Sequence, residues 1–134
     1  MSTLPSRHLG VRIEAPAAEV YAFVADPTNL PRWAAGLASS CVELREGRWV
    51  TESPMGTVEI TFAPRNEFGV LDHDVALPGG EVVSNPLRVL PNEDGCDLVF
   101  TVRHRPDMSD EDLERDVAAV QADLETLARL LSGP

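Results

Sequence analysis

The sequence predicts an α+β domain in which a curved, seven-stranded antiparallel sheet wraps one long C-terminal helix. Two short helices fall between the first and second strands. Three observations lead there. Leu113, Val117, Val120, Leu124, Leu127 and Leu131 recur at alternating steps of four and three, one face of a helix over 109–131. From Val42 to Val102 the apolar period is two instead, broken by short turn sequences. Each strand has one apolar face, so the sheet has one face to cover, and only the last helix is large enough to cover it.

The elements follow in order. Leu9, Val11 and Ile13 alternate with Gly10, Arg12 and Glu14 as a first, half-buried strand. Pro16 suits a first helical position. Val20, Phe23 and Val24, with Tyr21 beside them, form one face of a short helix that Asp26-Pro27 ends. A second short helical piece over 28–35 carries Trp33 and stops at Gly36. Val42 and Leu44 form strand two, and Glu46-Gly47 turns the chain into strand three with Trp49 and Thr51. Val58, Ile60 and Phe62 mark strand four; Leu71, His73, Val75 and Leu77 strand five; Val83, Asn85, Leu87 and Val89 strand six; Leu98, Phe100, Val102 and His104 strand seven. Short connections make neighbours antiparallel. Ser109 is the N-cap of the long helix and Asp112 the third residue of a capping box, with Asp in place of the usual Glu; Gly133 is the stop. At about 1.5 Å per residue the helix is roughly 34 Å long. A curled sheet cannot touch such a rod along its whole length, so a cavity is expected between them.

The chain has 134 residues, 22 of them acidic and 11 basic, for a net charge of −11, and every fixed cation is an arginine. The size suits a single domain spanning 1–134. The charge disfavours nucleic acid and anionic membrane as partners, and the apolar runs are too short to insert in a membrane. The arginine-only, Ala- and Val-rich usage suggests a bacterial genome. Residues 1–8 form no secretory signal, and Cys41 and Cys96 are read as reduced thiols, so a cytoplasmic location is expected. No ligand set for a metal can be assembled on one face, and no cofactor motif is present.

The run Val11-Arg12-Ile13-Glu14-Ala15-Pro16, continuing through Asp26-Pro27 to Pro31-Arg32-Trp33, resembles the opening of the SRPBCC superfamily. These are START-like, helix-grip proteins that include the birch-pollen-allergen type, lipid-transfer domains and polyketide cyclase-like proteins. The order of elements agrees over nearly the whole chain. The resemblance implies the helix-grip fold and a mostly apolar cavity, with the bacterial polyketide cyclase/dehydrase-like proteins as the nearest subgroup. It implies no shared catalytic motif.

Turn lengths set a register. A three-residue turn at 78–80 places Leu77 against Glu81, Val75 against Val83 and His73 against Asn85; the four-residue turn at 92–95 places Val89 against Leu98 and Leu87 against Phe100. Continued, it sets Asn85 against Val102 and Val83 against His104. His73, Asn85 and His104 would then be polar groups on the concave face, while Asp72 and Asp74 point outward. His73 could act as acid or base, or be a core histidine satisfied by Asn85 and water. His104, at a strand end, is set toward solvent or the helix cap. The candidate ligand-binding residues are Trp33, Trp49, Phe62, His73, Asn85, Phe100, His104, Val117 and Gln121. Arg65, Arg103 and Arg105 read as surface residues.

Three functions fit these expectations. The first is binding of a small apolar, ketide- or lipid-like molecule in the cavity. The second is a cyclase/aromatase- or dehydratase-like enzyme using His73. The third is an interaction or co-chaperone-like module with a filled core. The edge strands permit a homodimer.

Overall fold

A computed structural model of the chain describes residues 3–35 and 41–132. The elements are β1 (Ser6–Ile13), α1 (Ala17–Ala25), a 3-10 turn (Pro27–Asn29), α2 (Leu30–Trp33), β2 (Glu43–Arg45), β3 (Arg48–Ser53), β4 (Gly56–Phe62), β5 (His73–Ala76), β6 (Val82–Asn85), β7 (Leu87–Asn92), β8 (Gly95–Arg103) and α3 (Asp110–Leu131). This is the expected order of an α+β helix-grip fold. Pro16 caps α1 from one residue outside it, its carbonyl accepting from Val20 N at 3.1 Å. The proposed stops at Gly36 and Gly133 lie outside the described residues.

Among the described residues the strands number eight, in two antiparallel sheets ordered β1-β8-β7 and β2-β3-β4-β5-β6, where the alternation predicts seven in one. The difference lies at Pro86. The expected sixth strand is cut there: β6 pairs with β5, and β7 pairs with β8. The Pro86 carbonyl accepts from Thr101 N at 3.0 Å, but proline has no N–H to return the second bond of that pair. Just beyond, Leu87 N donates to the Asp72 carboxylate at 2.9 Å, and Leu87 O accepts from Leu71 N at 2.8 Å. The 69–71 stretch keeps its hold on β7, with Val89 N donating to Gly69 O at 2.9 Å and Val70 bridging Arg88, so the pairing that ends at Pro86 is the one with β8. Register on both sides agrees with the turn lengths: His73 faces Asn85, Val75 faces Val83, Leu87 faces Phe100 and Val89 faces Leu98. The continuation to Asn85–Val102 and Val83–His104 is not formed, because β6 leaves β8 at Pro86.

The core joins Ile13, Val20, Val24, Leu30, Leu87 and Leu98 to Leu124 and Leu127 of α3, all at 0 % exposure. The α3 backbone runs mainly along β1, with β8 and α2 also against it; no strand from β2 to β6 approaches it comparably. Gly69, at φ +73°, lets the 64–70 connection lie flat on β7, since a Cβ there would stand 2.2 Å from Val89 O. Cys41 is exposed, Cys96 buried, and both are free thiols.

Both ends of α3 are fixed. Ser109 Oγ accepts from Asp112 N at 3.0 Å while the Asp112 carboxylate accepts from Ser109 N at 3.3 Å, completing the capping box. Near the other end, the Asp123 carboxylate accepts from Ala35 N at 3.3 Å and Ser132 Oγ accepts from Glu14 N at 3.2 Å. Ser109→Ala removes an N-cap worth about 1 kcal/mol; urea unfolding should show a lowered midpoint with an unchanged slope, and an unchanged midpoint would refute the cap's contribution.

Burial pushes the Asp123 carboxyl up to about 6, against the pull of the Ala35 N–H. An ordinary Asp titrates near 3.9 in the unfolded chain. Between those values the folded state holds the extra proton, so Asp123's contribution to stability falls as pH rises through that window. Asp123→Asn, which keeps the acceptor oxygen but never charges, should be more stable than the parent at pH 7. The gap should close toward pH 4 in paired thermal melts; a gap that stayed constant would contradict this assignment.

Candidate functional site

His73 opens β5, with Phe62 of β4 and Asn85 of β6 as its cross-strand partners. Strand alternation sends its neighbours to the other face. Asp72 there accepts from Arg88 at 2.8 and 2.9 Å, a bond that lowers its carboxyl pKa, and Asp74 accepts from Ser84 at 2.7 Å. The His73 ring lies 5.0 Å from the Phe62 ring and meets Phe100 edge-on at 5.8 Å. Its residue exposure is 3 %. Nδ1 is 3.1 Å from Leu71 O. A carbonyl only accepts, so Nδ1 carries the hydrogen and Nε2 keeps the lone pair. Burial lowers the pKa of the imidazole, outweighing the Leu71 bond and the charges of Asp72 and Asp74. The ring is therefore a neutral acceptor at pH 7, set between two aromatic side chains. Nε2 has no hydrogen-bond partner among the described residues. Asn85 Nδ2 contacts Val83 O at 3.5 Å rather than His73.

The structure thus gathers Phe62, His73, Asn85 and Phe100 on the concave side. His104 is set apart: its Nε2 is 2.9 Å from Met108 O, with Asp110 at 3.9 Å, so it belongs to the approach to α3. Trp33 is buried at the end of α2, its Nε1 shielded and without a hydrogen-bond partner. Trp49, facing Leu44 and Ile60, is half-buried, as are Val117 and Gln121 on α3.

Two clefts reach the surface. One, of about 320 Å³, opens where β6 and β8 part at Pro86; Val83, Asn85, Val102, Arg105 and Asp116 line it. Arg105 is only 28 % exposed along its side chain, unlike the surface residue the sequence suggests; Arg103 is exposed, as expected. Burial raises the Asp116 pKa while Arg105 pulls it down. Sequence reasoning missed both groups as site residues. The available signal was Asp116 at the edge of the apolar stripe of α3, one position before Val117. The second cleft, of about 650 Å³, lies between α1 and residues 65–69. There Asn66 ties down the loop by accepting from Phe68 N and Val70 N and donating to Pro64 O and Val70 O, while Arg65 lies over the Tyr21 ring at 5.6 Å.

No three metal-ligating side chains gather among the described residues, and no described helix is long and apolar enough to cross a membrane. No curated protein matches the chain in sequence. Among solved structures it is similar to XoxI from Bacillus cereus, at 13 % identity and a TM-score of 0.74, covering 96 % of each chain. It is similar to Ara h 8.0201 at 14 % identity and 0.68, covering 96 % of this chain and 98 % of that one. It also resembles DynU16, a protein of the dynemicin biosynthetic locus, at 18 % identity and 0.69, covering 94 % of this chain and 46 % of that one. These likenesses concern the fold. In sequence, residues 8–132 match the family described as polyketide cyclase / dehydrase and lipid transport, and the chain belongs to that family within the SRPBCC superfamily.

Proposed function

We propose that the chain binds a small, largely apolar molecule between the sheet and α3. The observation that carries this reading is the asymmetric seat of α3. The helix lies along β1 and β8, and no strand from β2 to β6 approaches its backbone comparably. Trp49, Phe62 and Asn85 of those strands are half-buried, and so are Val117 and Gln121 of α3. Aromatic and aliphatic walls supply burial for an apolar body. His73 Nε2 and the Asn85 amide supply a few polar contacts that orient it. Membership of a family described by cyclase, dehydrase and lipid-transport activities agrees with such a ligand.

The test is a titration with N-phenyl-1-naphthylamine, a neutral fluorophore that brightens in apolar surroundings. Saturation near one molecule per chain is expected. Val117→Phe, which fills the space from the helix side, should weaken binding about tenfold, a 1.4 kcal/mol effect, while Val117→Ala keeps it. Absence of saturable binding in a chain folded by circular dichroism would sink the proposal.

The neutral, accepting Nε2 of His73 favours a second reading, an enzyme that removes a proton next to a carbonyl. Because burial lowers the His73 pKa, such a base stays active as pH falls below 6.5. Exchange of α protons of a β-ketothioester in heavy water, followed by NMR, should exceed background and vanish in His73→Gln with fluorophore binding intact. Equal rates in parent and variant would remove His73 from any such role.

A further inference from the structure

We infer that the cleft at Pro86 holds a negatively charged head group, so that the bound molecule is an amphiphile ending in a carboxylate. This rests on the apolar-ligand reading above and names the ligand's chemical class.

The starting point is hydrogen-bond bookkeeping along β6. Leu77 N donates to Glu81 O, which fixes the phase of the β5–β6 ladder. Val83 and Asn85 then spend their main-chain groups on β5, and those of Val82 and Ser84 turn to the open edge. After the Pro86–Thr101 pair, the next pair in register would be Ser84 with Arg103. No backbone hydrogen bond joins them. Two strand edges therefore diverge across the cleft and present main-chain N–H groups from both sides.

Arg105 adds the strongest demand. Its Nε is shielded from solvent and makes no hydrogen bond. The nearest carboxylate oxygen, on Glu81, is 3.7 Å away, too far for a hydrogen bond. The guanidinium makes no hydrogen bond among the described residues, although it carries five N–H donors. The shielded Nε is the Arg105 donor that water does not reach, an unmet buried donor is costly, and a planar two-oxygen anion fits the Nε edge of the fork. Asn85 stands beside it in the same cleft, and Arg103, donating to Ser6 Oγ at 2.6 Å, adds positive charge at the rim.

The other charges decide which anion. Asp116 is the acid lining the cleft, and Glu81 pairs with Arg105 by charge at 3.7 Å. A cationic head would meet two arginines. A doubly charged phosphate would be opposed by Asp116. A singly charged carboxylate suits the balance, and Val83, Pro86 and Val102 give its chain an apolar path.

The experiment is displacement of N-phenyl-1-naphthylamine by decanoate, decanol and decyl phosphate at pH 7.5. Decanoate should displace the fluorophore at about one-tenth the concentration of decanol, a 1.4 kcal/mol preference. Arg105→Gln should erase that preference and leave decanol unchanged; Arg105→Lys should keep part of it. Asp116→Asn, which removes the opposing charge, should strengthen decanoate a few-fold, giving a gain that a misfolded variant cannot mimic. Equal displacement by decanoate and decanol, a preference that survives Arg105→Gln, or decyl phosphate outcompeting decanoate would overturn the carboxylate assignment and leave the apolar-ligand reading standing. Failure of all three to displace a bound fluorophore would overturn the carboxylate assignment alone, and failure of the fluorophore to bind would remove both.

Discussion

An antiparallel ladder continues only while each residue can give a hydrogen bond as well as take one, and at Pro86 the giving stops. The carbonyl of Pro86 still holds Thr101, but the missing N–H lets the strand ahead of it swing away to β5. Asp72 secures the change of partner by taking the Leu87 N–H that the ladder would otherwise have to satisfy. The five-stranded sheet stands apart from α3, which lies along β1 and β8 of the other sheet. The surface cleft between β6 and β8 depends on that one exchange. Replacing Pro86 by a residue with an N–H would restore the missing donor and favour a flatter, continuous sheet.

Much of this was readable from the chain because turns count residues. Three residues at 78–80 and four at 92–95 leave one register consistent with apolar parity, so the partners of His73 and Val89 followed from arithmetic. The capping box was legible for a similar reason: Ser109 and Asp112 interact within three residues. The split at Pro86 was less legible. Alternation runs straight through it, and the sign of a break was one residue whose side chain pointed the expected way. Arg105 and Asp116 were hidden for another reason. Each lies at the margin of an element, where a charged residue usually faces water, and only the divergence of β6 from β8 draws them into a shared cleft. His104 was placed on the concave face by extending a ladder that had already ended.

Charge is kept mostly outside. The chain carries −11, yet among the described residues the buried polar side chains are Thr51, His73 and Thr101. Acids crowd the first turn of α3, where the helix dipole favours them. The Arg88–Asp72 pair is solvent-exposed and worth little as a salt bridge; its importance lies in orienting the carboxylate toward Leu87 N. Against this background, the neutral imidazole among aromatics, the shielded Nε of Arg105 in the Pro86 cleft and the unpartnered Nε1 of Trp33 are polar features that packing alone does not explain.

In mechanical terms α3 is a beam held unequally along its length. Leu124 and Leu127 are fully buried, and the Asp123 and Ser132 bonds clamp that half to α2 and the end of β1. Toward the other end Val117 and Val120 are only half-buried, and much of the restraint comes from the cap and the Arg7–Glu114 surface pair. The capped end buries Leu113, while the clamped end buries Leu124 and Leu127 completely, so the clamped end is the more tightly packed. The capped end borders the Pro86 cleft, through Asp116. The less tightly packed half of the beam therefore coincides with the cleft that Arg105 and Asp116 line.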